Sequence, residues 1–199
     1  MDTINAINVR KSIRKFKNVE VKKDLIEKVL DSATLAPFAL SSGHEPWRFI
    51  VLEGEKKREL VDIIESVAKK SINRKSHIPI EENDTINENS IPDVLKTNAK
   101  IINDAPVFIL AFGVYSSGHP KINHFDVHAI SASVQNMLLS ATDLGLGSLW
   151  IGAVWFAEKQ ICKWAGMDYL VAGVALGYSD DDFQKRTRKN WNDVTKWMK

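Results

Sequence analysis

The chain has 199 residues, 44% of them hydrophobic and 26% charged, with a net charge of +2 at pH 7. That is enough apolar mass for one domain with a substantial core, and no basic excess argues for nucleic acid or an anionic membrane surface. One cysteine, Cys162, excludes an internal disulfide framework, and no run approaches the ~20 apolar residues of a membrane span. The first residues lack the apolar run of a signal peptide, so a cytoplasmic location is expected.

Along the chain, Asp2 or Thr3 caps a short first helix carrying Ile4, Ile7 and Val9. From Lys22 to Leu35, apolar Leu25, Ile26, Val29, Leu30 and Ala33 recur at helical spacing and predict an amphipathic helix. Pro37 ends it, and a loop of small and polar residues follows to Glu45. The apolar run Trp47–Leu52 predicts a strand, and Glu55–Lys70 a second amphipathic helix. Composition then shifts: residues 71–98 are polar, rich in Asn, Glu and Lys, and include Pro79 and Pro92. So long a stretch reads as an excursion with at most one short helix, either a lid or a surface insertion. Its sequon, Asn83-Asp84-Thr85, is read as a chance match.

Val107–Val114 is almost continuously apolar, which predicts a buried strand. Asp126–Leu144 predicts a long helix apolar over a broad face, hence a central one. Gly145 and Gly147 break it before a strand over Ser148–Ile151. A short helix over Ala157–Ala165 and a strand over Leu170–Leu176 complete the pattern, with Cys162 read as a core thiol. The tail from Asp180 is polar and basic yet carries Trp191 and Trp197, whose rings need burial; a partner subunit is one economical answer. Interspersed helices and short apolar strands give a layered sheet with helices on its faces and leave strand order open.

The candidate chemistry starts at Arg10-Lys11-Ser12-Ile13-Arg14. Three cations and a hydroxyl suit a phosphate-bearing ligand, because Arg offers a planar fork of donors and Ser adds another. In a locally extended segment, Arg10, Ser12 and Arg14 point the same way. A second basic cluster, Arg186-Thr187-Arg188-Lys189, lies near the other end. The glycines of Gly145–Gly152 allow close backbone approach to a planar ligand, and the order helix then strand excludes a dinucleotide fingerprint. His124 and His128 have a spacing that can hold zinc on a helix, but no third or fourth ligand is apparent nearby and no metal site is expected. No nucleophile elbow frames a serine, so hydrolysis is not expected.

The basic pentad, Glu45-Pro46-Trp47-Arg48-Phe49, the Gly145–Gly152 segment and Gly173-Val174-Ala175-Leu176-Gly177-Tyr178 occur in an order and at separations that resemble the nitroreductase family of FMN-dependent oxidoreductases. The resemblance runs from Ile7 to Trp197. It implies a single FMN-binding α+β domain over residues 1–199, with a mainly antiparallel central sheet flanked by helices. It also implies an intertwined homodimer with FMN at the subunit interface and a C-terminal arm, residues 180–199, reaching across to the other subunit. By the same resemblance Arg10 and Ser12 bind the phosphate, Lys11 assists or faces solvent, and Arg14 reaches the pyrimidine edge of the ring. Arg188, or alternatively Arg186, completes the phosphate site. Ser41 and Ser42 are the polar contacts of the 38–45 loop, and Phe38 packs on the ring or lines the substrate site. Asn98 either bonds the pyrimidine edge or caps a surface helix. The backbone around Trp150, Ile151 and Gly152 lies along the ring system, with an amide directed at the flavin N5.

The loop before the first strand departs from the family pattern: Glu45 stands where a Gln usually precedes Pro-Trp. The implied reaction passes hydride from NADH or NADPH through FMN to a nitroaromatic, quinone or similar electron-poor acceptor. The flavin carries the chemistry, so no catalytic side chain is assigned. Two rivals stay open: a specialised relative, either a reductive dehalogenase or a flavin-consuming enzyme, and a non-catalytic FMN-binding protein.

Overall fold

A computed structural model describes residues 1–38, 44–72, 90–115, 124–182 and 186–198. Its centre is β2 (Val107–Gly113), buried along its whole length, which is why its sequence is continuously apolar rather than alternating. β2 pairs antiparallel with β1 (Trp47–Leu52) on one side and with β4 (Tyr169–Gly177) on the other. β3 (Gly147–Ile151) pairs antiparallel with the outer side of β4, so the sheet order is β1-β2-β4-β3.

Alternate side chains of β2 feed two cores. Phe108, Leu110 and Phe112 face α3 (Gly54–Ile72), α4 (Ile91–Asp104) and α6 (Glu158–Ala165). Val107, Ile109 and Ala111 face α2 (Lys23–Thr34) and α5 (His124–Asp143). The β2–β4 register slips between Ala111 and Phe112, leaving Val171 as an extra residue on β4. That bulge puts Leu170 in the first core and Ala172 in the second, although they are two residues apart. Close packing dictates glycine in the middle of β4: a Cβ on Gly173 would lie 2.3 Å from Cζ of Phe108.

α5 is the central helix, with Ile130, Val134, Met137 and Ala141 fully buried. The predicted β1 coincides with the observed strand, and the helix and strand expectations over residues 22–35, 55–70, 107–114 and 170–176 hold to within a few residues. One reading needs correction. α4 begins at Ile91, so residues 91–98 belong to a core helix and not to a polar excursion. Its Pro92 sits in the first turn, where the missing N–H is no loss. A 3-10 helix over Gly152–Ala157, not anticipated, links β3 to α6. Residues 73–89, which hold Pro79 and the sequon, lie outside the described residues.

The expected first helix is present as α1 (Thr3–Val9). Asp2 caps it, its carboxylate accepting the Asn5 N–H at 2.9 Å. Ala6 is its buried residue, whereas Ile4, Ile7 and Val9 are 66%, 45% and 47% exposed. A groove of about 340 Å³ beside this helix is lined by Ala6, Leu35 and Leu139 among others.

Candidate functional site

The basic pentad leaves α1 in extended conformation, Arg10 having φ −54° and ψ 129°. It then joins the sheet. Ser12 forms a parallel bridge with Ser148 of β3, and the Ile13 N–H donates to the Ser148 carbonyl at 2.9 Å. Farther along, Phe16 bridges Ser179 antiparallel, and the Lys17 N–H donates to the Tyr178 carbonyl at 2.9 Å. Ile13 is 3% exposed and packs on Gly147, where a Cβ would come within 2.9 Å of Ile13 Cγ1. Gly147 is therefore needed for close approach of the pentad to β3. With Ile13 directed inward, alternation turns Ser12 and Arg14 to the other side. Arg10, Lys11 and Ser12 are half-buried and Arg14 is exposed.

Local contacts sort the cations. Lys11 Nζ donates to the Asp181 carbonyl at 3.4 Å, so this ammonium is turned toward the segment after β4. One Arg14 guanidinium nitrogen donates to the Ser12 carbonyl at 3.2 Å. The Arg14 backbone N–H donates to an Asp181 carboxylate oxygen at 2.9 Å. Sequence reading did not single out Asp181; it meets Arg14 across 167 positions, and no local pattern marks such a contact.

At the far end of β3 the backbone opens. Ile151 is buried at 2%, Trp150 is half-buried and Gly152 is exposed. A Cβ built on Gly152 would meet no atom within 4 Å, so the backbone here is open to a flat ligand. Because the Ile151 side chain belongs to the core, only the main chain of this residue is available to one. The pentad, at Ser148, and the opening, at Gly152, thus occupy the two ends of one short strand. Cationic donors at one end and an exposed glycine at the other match a ligand with an anionic tail and a planar head.

The remaining candidates are placed less centrally. Phe38 is half-buried and packs edge-on against Trp47, ring centroids 5.6 Å apart, and Trp47 itself is core at 4% exposure. Phe38 also lines a groove of about 250 Å³ with Pro37, Phe125, His128, Ala129 and Ala132. Ser41 and Ser42 lie outside the described residues. Asn98 is neither at a helix end nor on an open surface: it sits in the middle of α4, half-buried, its Nδ2 donating to the Val94 carbonyl at 2.8 Å. The expectation that it caps a surface helix is therefore wrong. Arg186 and Arg188 are exposed in the tail, and no ion pair among the described residues holds either one. His124 and His128 are exposed, whereas Asp126 between them is 1% exposed, so the three do not share one face. Cys162 is buried at 7%, and burial pushes its thiol up to about 11, the unreactive protonated form at neutral pH.

The family model described as the nitroreductase family matches residues 7–178, which include the pentad, both ends of β3 and the whole of β4. The chain belongs to the nitroreductase family. Nitroreductase relatives and neighbours agree with that membership. A protein of Methanothermobacter thermautotrophicus, provisionally named NADH dehydrogenase/NAD(P)H nitroreductase, is 34% identical over 152 residues, covering 76% of this chain and 61% of its own length. The iodotyrosine deiodinase of Hydra vulgaris is 28% identical over 152 residues, covering 72% of this chain and 52% of its own. The chain thus spans between half and two thirds of these two relatives. Among solved structures, a mutant of the FMN- and NADPH-dependent nitroreductase NfnB from Sphigopyxis sp. strain HMH superposes with a TM-score of 0.79 at 16% identity, over 99% of each chain. The mixed helical and antiparallel architecture is the nitroreductase fold. No helix among the described residues is long and apolar enough to cross a membrane.

Proposed function

We propose that this protein is an FMN-dependent oxidoreductase that takes hydride from NADH or NADPH and reduces nitroaromatics, quinones or similar electron-poor compounds. The observation that carries the reading is the docking of the pentad on β3, which sets Arg10, Ser12 and Arg14 beside the strand that ends at the open Gly152. Arg10 and Ser12 would hold the phosphate, with Arg188 or Arg186 joining from the tail. Arg14 would lie at the pyrimidine edge, where a fixed cation favours added electrons. The main chain of Trp150, Ile151 and Gly152 would border the ring, and Phe38, Ser41 and Ser42 would approach it from the 38–45 loop. Bound FMN supplies the hydride chemistry, so no side-chain nucleophile is called for.

The working form in this reading is a homodimer. Support comes from apolar side chains exposed in one copy: Ile4 and Leu35 at 66% and 81%, and Trp191 and Trp197 at 60% and 74%. A second reading, reductive dehalogenation in the same site, draws on the similarity to the Hydra deiodinase.

The absorption spectrum of the purified protein tests the proposal. Flavin bands that bleach on addition of NADH or NADPH and return with menadione are expected. A protein that stays colourless after reconstitution with FMN would refute it. Steady NAD(P)H oxidation with menadione but none with an iodotyrosine favours the first reading over the second.

A further inference from the structure

The pentad is tied to the root of the C-terminal tail at one residue. Asp181 accepts the Arg14 backbone N–H on a carboxylate oxygen at 2.9 Å and the Lys11 ammonium on its carbonyl at 3.4 Å. Asp181 is itself fixed: its N–H donates to Ser179 Oγ at 3.2 Å, and the Asp180 N–H donates to the Lys15 carbonyl at 3.0 Å. Ser179 in turn bridges Phe16. Together these contacts join residues 11–17 to residues 179–181, across more than 160 positions of sequence.

We propose that Asp181 is a positioning residue for the anion cradle: it clamps the backbone of Arg14 and turns Lys11 aside, so that Arg10, Ser12 and Arg14 are already arranged before the phosphate-bearing ligand arrives. The inference rests on the proposed FMN site. The placement is not explained by charge attraction to the ligand, since a carboxylate beside a phosphate site repels it. What the carboxylate supplies is an acceptor for a main-chain donor at the point where the pentad leaves β3. A segment held in its bound conformation loses less entropy when it binds, so the clamp tightens binding without touching the ligand. Because Asp181 also opens the tail, order in the cradle and order in the tail are linked: a ligand on one favours the docked form of the other.

Two variants of the full chain test this. Asp181→Ala removes the acceptor, whereas Asp181→Asn keeps an acceptor oxygen and removes the charge. FMN is titrated into flavin-free protein by fluorescence quenching, and amide hydrogen exchange is followed in the peptide carrying Arg14. Asp181→Ala is expected to weaken FMN binding about 5- to 10-fold and to speed exchange at Arg14 by a similar factor, the loss of one hydrogen bond. Asp181→Asn is expected to exchange like the parent and to bind FMN at least as tightly, because the repulsive charge is gone. The melting temperature of the flavin-free variants serves as control for a general loss of fold. Parental affinity in Asp181→Ala, or an Asp181→Asn as weak as Asp181→Ala, overturns the inference. If the parent itself ignores FMN, the functional reading fails. The exchange measurement then decides the clamp alone, and unchanged exchange at Arg14 in Asp181→Ala overturns it.

Discussion

At the scale of single residues, the proposed phosphate site predicts a division of labour within the pentad. Arg10 is half-buried, while Lys11 is spent on the Asp181 carbonyl. Arg10→Ala is expected to weaken FMN binding by about 1.5–3 kcal/mol, the usual loss for a charge-assisted contact, and Lys11→Ala by clearly less. Equal dissociation constants in the two variants would remove this division. Cys162 gives a second test, in pH. Burial raises its thiol from 9.0 to about 11, so the folded chain favours the neutral form. A raised value adds stability that is complete below pH 9 and is lost as pH climbs toward 11. The stability difference between the parent and Cys162→Ala, read from urea midpoints at pH 8, 9.5 and 11, is expected to shrink over that window. A difference independent of pH would show that the thiol is not held neutral by the fold. The core places of Trp47 and Cys162, and the pentad as a basic cluster, were legible in sequence because residue type and local context mark them. Asp181 was not, because its role comes from a meeting of distant segments.

At the scale of elements, strands and amphipathic helices were legible where the period was clean. β1 and β2 are largely apolar runs, and α2 repeats Leu25, Ile26, Val29 and Ala33 on one side. α4 was missed for a physical reason. Its first turn lies at the end of a polar stretch, and Pro92 reads as a breaker unless it is placed at a helix start. The spacing of Ile91, Leu95, Ala99 and Ile102 was the available signal, and all four are buried. The bulge at Val171 could not be read at all, since it depends on the partner strand. One element makes a sharp prediction. Gly173→Ala should push a methyl into the Phe108 ring, 2.3 Å away, at the centre of the sheet. Overpacking of this kind costs about 1–3 kcal/mol, and trimming the ring with Phe108→Leu in the same chain should recover part of it. Equal urea midpoints for Gly173→Ala and the parent would mean that the sheet relaxes there freely.

At the scale of the whole molecule, the open question is how one chain completes its surface. Among the described residues, a single copy leaves Ile4 of α1, Leu35 just beyond α2 and the tryptophans of the tail exposed. Burying such side chains is worth about 1.5–3 kcal/mol each, to be set against the entropy lost when two copies associate. Removal of residues 183–199 keeps Asp181 and takes away both tryptophans and both candidate arginines. Sedimentation should then show a weaker dimer, and FMN titration a weaker site. A truncated chain that stays dimeric and holds FMN normally would separate the tail from both roles. Ile4→Lys, at an exposed apolar position of α1, should also weaken the dimer while leaving the fold of one copy intact, by comparison of sedimentation with far-UV circular dichroism.

The docking of the pentad on β3 has a cost if it fails. β3 is an outer strand of the sheet, and Ser12 and Ile13 cover part of its free margin. A bare margin of peptide groups is a template for unrelated chains to add strands, ending in insoluble fibres or amorphous precipitate. Substitutions that prise residues 10–17 from the sheet, Ile13→Asp first among them, should therefore lower the soluble yield even in protein that never meets a flavin. The cationic segment would then serve as a guard against misassembly throughout the life of the chain, before any ligand is bound.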